Sequence, residues 1–172
     1  MTETGDTYWW VARTRHGREI GVKNRLSELG VECFIPTRRR KATRGHGTVE
    51  QPLINSLVFL KATRQEALDL IHLKVVQADY LFDCATHQLM VVPEKQMNDF
   101  QRVLDASVEE GGLVDAPLQV GEWVRVTRGA LKGVEGRVLE LQGKLYVVVG
   151  LLNCIFARAR VPRAWLEKII IH

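Results

Sequence analysis

Glycine recurs at positions 121, 129, 133, 136, 143 and 150 of this chain, and the residues between are short β-patterned runs. Trp123-Val124-Arg125-Val126, Arg137-Val138-Leu139-Glu140-Leu141 and the stretch from Tyr146 to Val149 each read as a strand, and a glycine follows each within a few residues. Strands this short and this close need sharp corners, which glycine supplies because it has no Cβ and tolerates positive φ. A long helix over the same residues is opposed. Each interior glycine costs about 1 kcal/mol relative to alanine in a helix, and Val147-Val148-Val149 adds three consecutive β-branched residues. From about Leu118 onward the pattern predicts a small closed or nearly closed β-barrel.

The first two thirds alternate differently. Tyr8 to Ala12 reads as a strand. Gly17 to Leu29 reads as a helix, with Ile20, Val22, Leu26 and Leu29 at near-helical spacing and Gly30 as its stop. Val31 to Pro36 reads as a second strand. The basic stretch from Thr37 to Thr48, with Gly45 and Gly47, reads as a mobile loop or hairpin tip. Leu53 to Leu60 is nearly all apolar and reads as a buried strand. Thr63 to Leu73 reads as a second helix, Val75 to Phe82 and Leu89 to Val92 as further strands, and a third helix starts near Pro93 with Met97, Phe100 and Leu104 inward. The fold class expected is α+β: a sheet-and-helix sandwich over residues 7–108, a linker over 109–117 with Gly111, Gly112 and Pro117, and the barrel over 118–172.

The net charge of +4 conceals an asymmetry. Residues 8–46 hold ten Lys/Arg against three acids, so that stretch is +7 and the remainder −3. A basic segment on a compact domain is a footprint for polyanions. Other classes find no support. No apolar run approaches the roughly 20 residues of a membrane span. The start, MTETGDTYWW, lacks the pattern of a secretory signal. Cys33, Cys84 and Cys154 are sparse and odd in number, which fits a reducing cytoplasm and no disulfide framework. No metal-ligand spacing, phosphate loop or nucleophile–base constellation is present, and Asp79 and Asp83 read as solvated surface. The chain is therefore expected to be a non-catalytic monomer without metal or cofactor.

The hydrophobic alternation before Gly129, then Leu131-Lys132-Gly133, then Gly136 and Val138, closely resembles the KOW motif. Trp9-Trp10-Val11-Ala12-Arg13-Thr14 with Gly17, Gly30-Val31-Glu32-Cys33-Phe34-Ile35-Pro36, and Pro52 to Leu60 resemble, in order, the first strand, second strand and P-L-F-P-G-Y-L-F-V segment of an NGN domain. The whole from 8 to 170 resembles the NusG family of transcription elongation factors, an NGN domain followed by a KOW domain. Ile54, Asn55-Ser56 and Leu57 stand where the family keeps Phe, Pro-Gly and Tyr, which points to a specialised member. Ala85-Thr86-His87 through Met97, and Val108 to Leu113, are similar to the UpxY group, antiterminators associated with capsular polysaccharide operons.

The resemblance implies partners and sites. An apolar depression on the NGN domain would receive the clamp helices of the largest subunit of RNA polymerase. By position Ile54 and Leu57 would line it, with Tyr8, Trp10, Val22, Leu26 and Phe82 as candidate walls, although Val22 and Leu26 suit a plain core better. Arg13, Arg15, His16, Arg18 and Arg25 would approach the non-template DNA strand or nascent RNA, and Arg38, Arg39, Arg40, Lys41 and Arg44 form a second basic patch. Ile155-Phe156-Ala157-Arg158 matches a loop segment that in the family contacts Rho or a small-subunit ribosomal protein, which makes Ile155, Phe156 and Arg158 candidate partner contacts. The function implied is elongation or antitermination on specific operons. A general housekeeping factor and a ribosome-associated KOW protein that binds RNA are the alternatives.

Overall fold

The structure is a computed structural model and describes residues 5–106, 113–114, 121–152 and 155–171. Contacts divide the chain into two compact units, Met1–Pro93 and Glu94–His172.

In the first unit the elements are β1 (Thr7–Thr14), α1 (Glu19–Glu28), β2 (Glu32–Phe34), β3 (Thr37–Lys41), β4 (Thr48–Pro52), β5 (Leu57–Thr63), α2 (Arg64–His72), β6 (Ala78–Tyr80) and β7 (Val91–Val92). The sheet runs β2-β5-β1-β6, with β7 also on β1, and every pairing is antiparallel. Alternation along β1 and β5 decides which side chains meet the helices. Trp10, Ala12, Val58, Leu60 and Ala62 share one core with Val22 and Leu26 of α1 and Ala67 of α2. The Trp10 indole donates to the Ala62 carbonyl at 2.9 Å, so its polar edge is satisfied inside. The other face also buries Trp9, Val11 and Phe59.

Local chemistry explains where elements stop. Gly30 takes φ 71 just past α1, and the Val31 amide bonds back to the Leu26 carbonyl at 2.9 Å. Thr63 and Glu66 form a reciprocal capping box at the start of α2. The Tyr80 hydroxyl donates to the Ala67 carbonyl at 2.6 Å, tying β6 to α2.

Two segments differ from the sequence reading. The basic stretch is largely a two-stranded hairpin, β3 on β4, with only residues 42–47 left as its tip. The apolar run Leu53 to Leu60 is not one strand. Residues 53–56 form a turn, and β5 begins at Leu57. Ser56 bends the chain there with φ 66, a conformation costly for a non-glycine residue.

The second unit holds α3 (Glu94–Ala106), β8 (Leu113–Val114), β9 (Trp123–Val126), β10 (Glu135–Leu141), β11 (Lys144–Leu151), β12 (Ile155–Arg160), a 3-10 turn at Arg163–Trp165, and β13 (Leu166–Lys168). The strands form one antiparallel ladder, β13-β9-β10-β11-β12-β8. Gly136 permits the close approach of β10 to β11, since a Cβ there would lie 2.4 Å from the Val148 carbonyl oxygen. Residues 135–151, the region where a helix is opposed, are strands on both sides of one hairpin.

Helix α3, expected within the 7–108 domain, packs instead mainly on β11 and β12. The reason is in its polar residues as much as in buried Met97, Phe100, Val103 and Leu104. Gln96 donates to the Gly150 carbonyl at 2.7 Å, Arg102 donates to the Ala130 and Lys132 carbonyls at 2.7 and 2.8 Å, and buried Asp99 accepts from the Glu135 amide at 3.3 Å. These groups satisfy backbone atoms that the barrel's loops leave unpaired. The expected linker falls largely outside the described residues. Within it, Leu113–Val114 pair with β12.

Candidate functional site

The turn before β5 presents Ile54 and Leu57, both half-buried, with Asn55 exposed between them. It is held from below. Glu19, the first residue of α1, is only 2% exposed, and its Oε1 accepts from the Ser56 amide at 2.7 Å. The Ser56 carbonyl in turn accepts from the Thr14 amide at 2.9 Å. One residue of the turn is thus clamped by the end of β1 and the start of α1. Burial pushes the Glu19 carboxyl up. The hydrogen bonds from Ser56, from its own amide and from Gly17, with the charge of His16 at 4.0 Å, outweigh that and leave it below the usual carboxylate value. Sequence reading missed this group. Its partner lies 37 residues away, and no local pattern marks it.

The apolar set expected around the turn does not form one patch. Trp10, Val22 and Leu26 lie inside the core, so none of them is available as a docking wall. Tyr8 is 45% exposed but sits opposite Ala62, whereas Leu57 sits opposite Arg13. The five-residue offset between Tyr8 and Arg13 is about 17 Å along the strand, and its parity puts the two on opposite faces. Phe82 is 62% exposed, next to a single bridge with Leu89. The accessible apolar residues are therefore Ile54 and Leu57 at one end, with Tyr8 and Phe82 apart.

The basic residues are accessible. Arg13, Arg15, His16 and Arg18 are exposed around the end of β1 and the entry to α1, and Arg25 pairs with Glu28 at 3.1 Å. On the hairpin, Arg38, Arg39, Arg40 and Lys41 are exposed on β3, and Arg44 lies in the tip. Residues 37–52 carry five Lys/Arg and one acid, Glu50. That acid is already engaged: its Oε1 accepts from Lys23 Nζ and Thr37 Oγ1, both at 2.7 Å, and these bonds hold its carboxyl below the usual value. The same two bonds fasten the hairpin to α1, so the two basic clusters occupy neighbouring elements. Unneutralised guanidinium groups on a two-stranded ribbon can bind phosphates without reading sequence.

In the second unit the segment expected as a loop is strand β12. Ile155 is buried, Phe156 is half-buried with its ring over Gly150, and the Arg158 guanidinium lies 5.0 Å from the Tyr146 ring centroid. Ala157 is an ordinary buried strand residue. Cys33 is half-buried and Cys84 exposed, both free, while Cys154 lies outside the described residues. Among the described residues no group of three or more His, Cys, Asp or Glu could hold a metal, and no helix is long and apolar enough to cross a membrane.

The family model described as "Transcription termination factor nusG" matches residues 7–101. No curated protein sequence matches. Among solved structures, the chain is similar to one described as "Domain interaction in Thermotoga maritima NusG". The identity is 21%, over 96% of this chain and 98% of that one, with a TM-score of 0.50. At that identity the likeness speaks for the fold alone.

Proposed function

The chain belongs to the NusG family of transcription factors, on a match spanning more than half its length, and we propose that it binds RNA polymerase through the Ile54–Leu57 turn and suppresses pausing or termination on a restricted set of operons. The observation that carries this reading is the turn itself. A half-exposed apolar pair is clamped by a buried carboxylate and flanked across the strand by cationic Arg13. A pre-ordered apolar contact loses little entropy on docking. The basic residues at 13–18 and on the β3–β4 hairpin then hold a phosphate backbone beside the polymerase, whether DNA or RNA. Binding one polymerase conformer better than another shifts the population toward it, which is how a non-catalytic factor lowers pausing.

Restriction to particular operons, of the capsular polysaccharide kind, is favoured by the departures at Ile54, Asn55-Ser56 and Leu57 and by the UpxY-like stretches. Sequencing the RNA that co-purifies with polymerase, with and without this protein, tests it. Longer transcripts from a few loci are expected. A uniform effect across all transcripts would mark a general factor instead.

A further inference from the structure

The outward row of the barrel carries chemistry that docking through the Ile54–Leu57 turn does not use. Strand register puts Trp123, Arg137, Val148 and Arg158 directly opposite one another across four strands, and Leu139, Tyr146 and Arg160 form the next row. At 4.7–4.9 Å per strand the first row spans about 14 Å. Both rows lie on one face, because side chains alternate. A small apolar cluster of Leu139, Tyr146 and Val148 forms their floor, with Leu141 and Phe156 packed against it. Guanidinium groups lie over the aromatic rings: Arg137 is 5.4 Å from the Trp123 centroid, and Arg158 is 5.0 Å from that of Tyr146.

The charge on this face is one-sided. Alternation places Arg125, Arg137, Lys144, Arg158 and Arg160 there, against Glu135 on β10 and Glu167 on β13. Glu135 is taken by Arg125 at 2.8 Å, and Glu167 is opposite the same arginine. Among the described residues Arg137, Arg158 and Arg160 make no ion pair, and the Arg158 Nε is buried without a hydrogen-bond partner. Beside them a cleft of about 430 Å³ is walled by Lys144, Arg160 and Arg163, with Glu140 as its one acid.

We infer that this face of the barrel is a second binding site, for single-stranded nucleic acid. Trp123, 36% exposed, is the stacking surface for a base. Arg137, Arg158 and Arg160 meet consecutive phosphates, and the cleft takes a phosphate at one end. Aromatic rings interleaved with cations on a curved sheet bind single strands without demanding sequence, since every base has a π-face. A protein partner would need acidic groups to match three unpaired arginines. A phosphodiester chain supplies them in a row.

The test uses the full-length chain, isotope-labelled, titrated with a short oligouridylate and separately with an oligothymidylate. The expected result is progressive amide shifts in β9, β10 and β12 and at the Trp123 indole. Shifts with both oligomers place the recognition in backbone and stacking, and shifts with oligouridylate alone assign it to RNA. Absence of shifts on this face, with or without shifts at residues 13–44, overturns the proposal in favour of a protein-binding face.

Affinities are then measured with Arg38→Gln, Arg39→Gln, Arg40→Gln and Lys41→Gln already in place, so that the hairpin does not mask the barrel. In that background Trp123→Ala should weaken binding on the order of tenfold. Arg160→Gln, an exposed change that leaves the sheet intact, should lower the slope of log affinity against log salt by about 0.7. Unchanged affinity and slope in both variants would overturn it. Clamp-helix binding through Ile54 and Leu57 is read separately, so either site can fail without the other.

Discussion

Replacing Glu19 should loosen the turn that carries the polymerase contact. Its carboxylate is 2% exposed and accepts from Ser56 at 2.7 Å, and a hydrogen bond to a charged group contributes about 1.5–3 kcal/mol. Its place at the first position of α1 adds about 0.5 kcal/mol through the helix dipole. Glu19→Ala loses both and should destabilise the protein by about 2–3 kcal/mol, a large share of the roughly 5–15 kcal/mol of a typical domain. Glu19→Gln keeps an acceptor for Ser56 and should cost about 1 kcal/mol. With a urea m-value of about 1–3 kcal/mol/M, the alanine variant should shift the urea midpoint down by roughly 1 M. The pH dependence has a definite sign. The folded carboxyl titrates below its unfolded value. Its stabilisation is therefore complete above about pH 4.3 and is lost as pH falls through the lower folded value. Glu19→Gln should remove that part of the acid limb of a stability–pH curve. An alanine variant as stable as the parent, with an unchanged acid limb, would refute the clamp.

Ser56→Gly should stabilise the chain by about 0.5–1 kcal/mol in the same urea melts, because φ 66 costs a serine more than a glycine; a loss of stability would mean the serine side chain matters more than the backbone. Gly136→Ala should destabilise the second unit by about 2–3 kcal/mol, since its Cβ would meet the Val148 carbonyl oxygen at 2.4 Å. Amide shifts confined to β10 and β11 would verify the location. Neutralising Arg38 to Lys41 should weaken nucleic-acid binding across sequences and lower its salt slope by about 0.7 for each phosphate that is no longer neutralised. An unchanged slope would leave those side chains facing solvent.

The barrel was legible because its glycines fall between alternating runs, and the three helices because their apolar spacing and stops are local. What escaped was set at a distance. The hairpin has no hydrophobic period, since Arg38 to Lys41 are exposed and the backbone pairing with β4 alone makes it a strand. The run Leu53 to Leu60 looked continuous because composition does not reveal a positive φ at Ser56. Trp10, Val22 and Leu26 could not be told from docking residues, because an apolar side chain looks the same whether its own core or a partner covers it. Glu19 read only as one unit of charge. The polar residues of α3 gave no sign that they answer the backbone of β10, β11 and the loop at 130–133.

The most direct measurement is the affinity of the isolated clamp helices of RNA polymerase for the wild-type chain and for the Ile54→Asp/Leu57→Asp variant. Far-UV circular dichroism and the fluorescence of buried Trp10 establish that the variant is folded. Binding by the wild type and its loss in the folded variant are expected. Equal affinity of the two would contradict a polymerase contact through this turn.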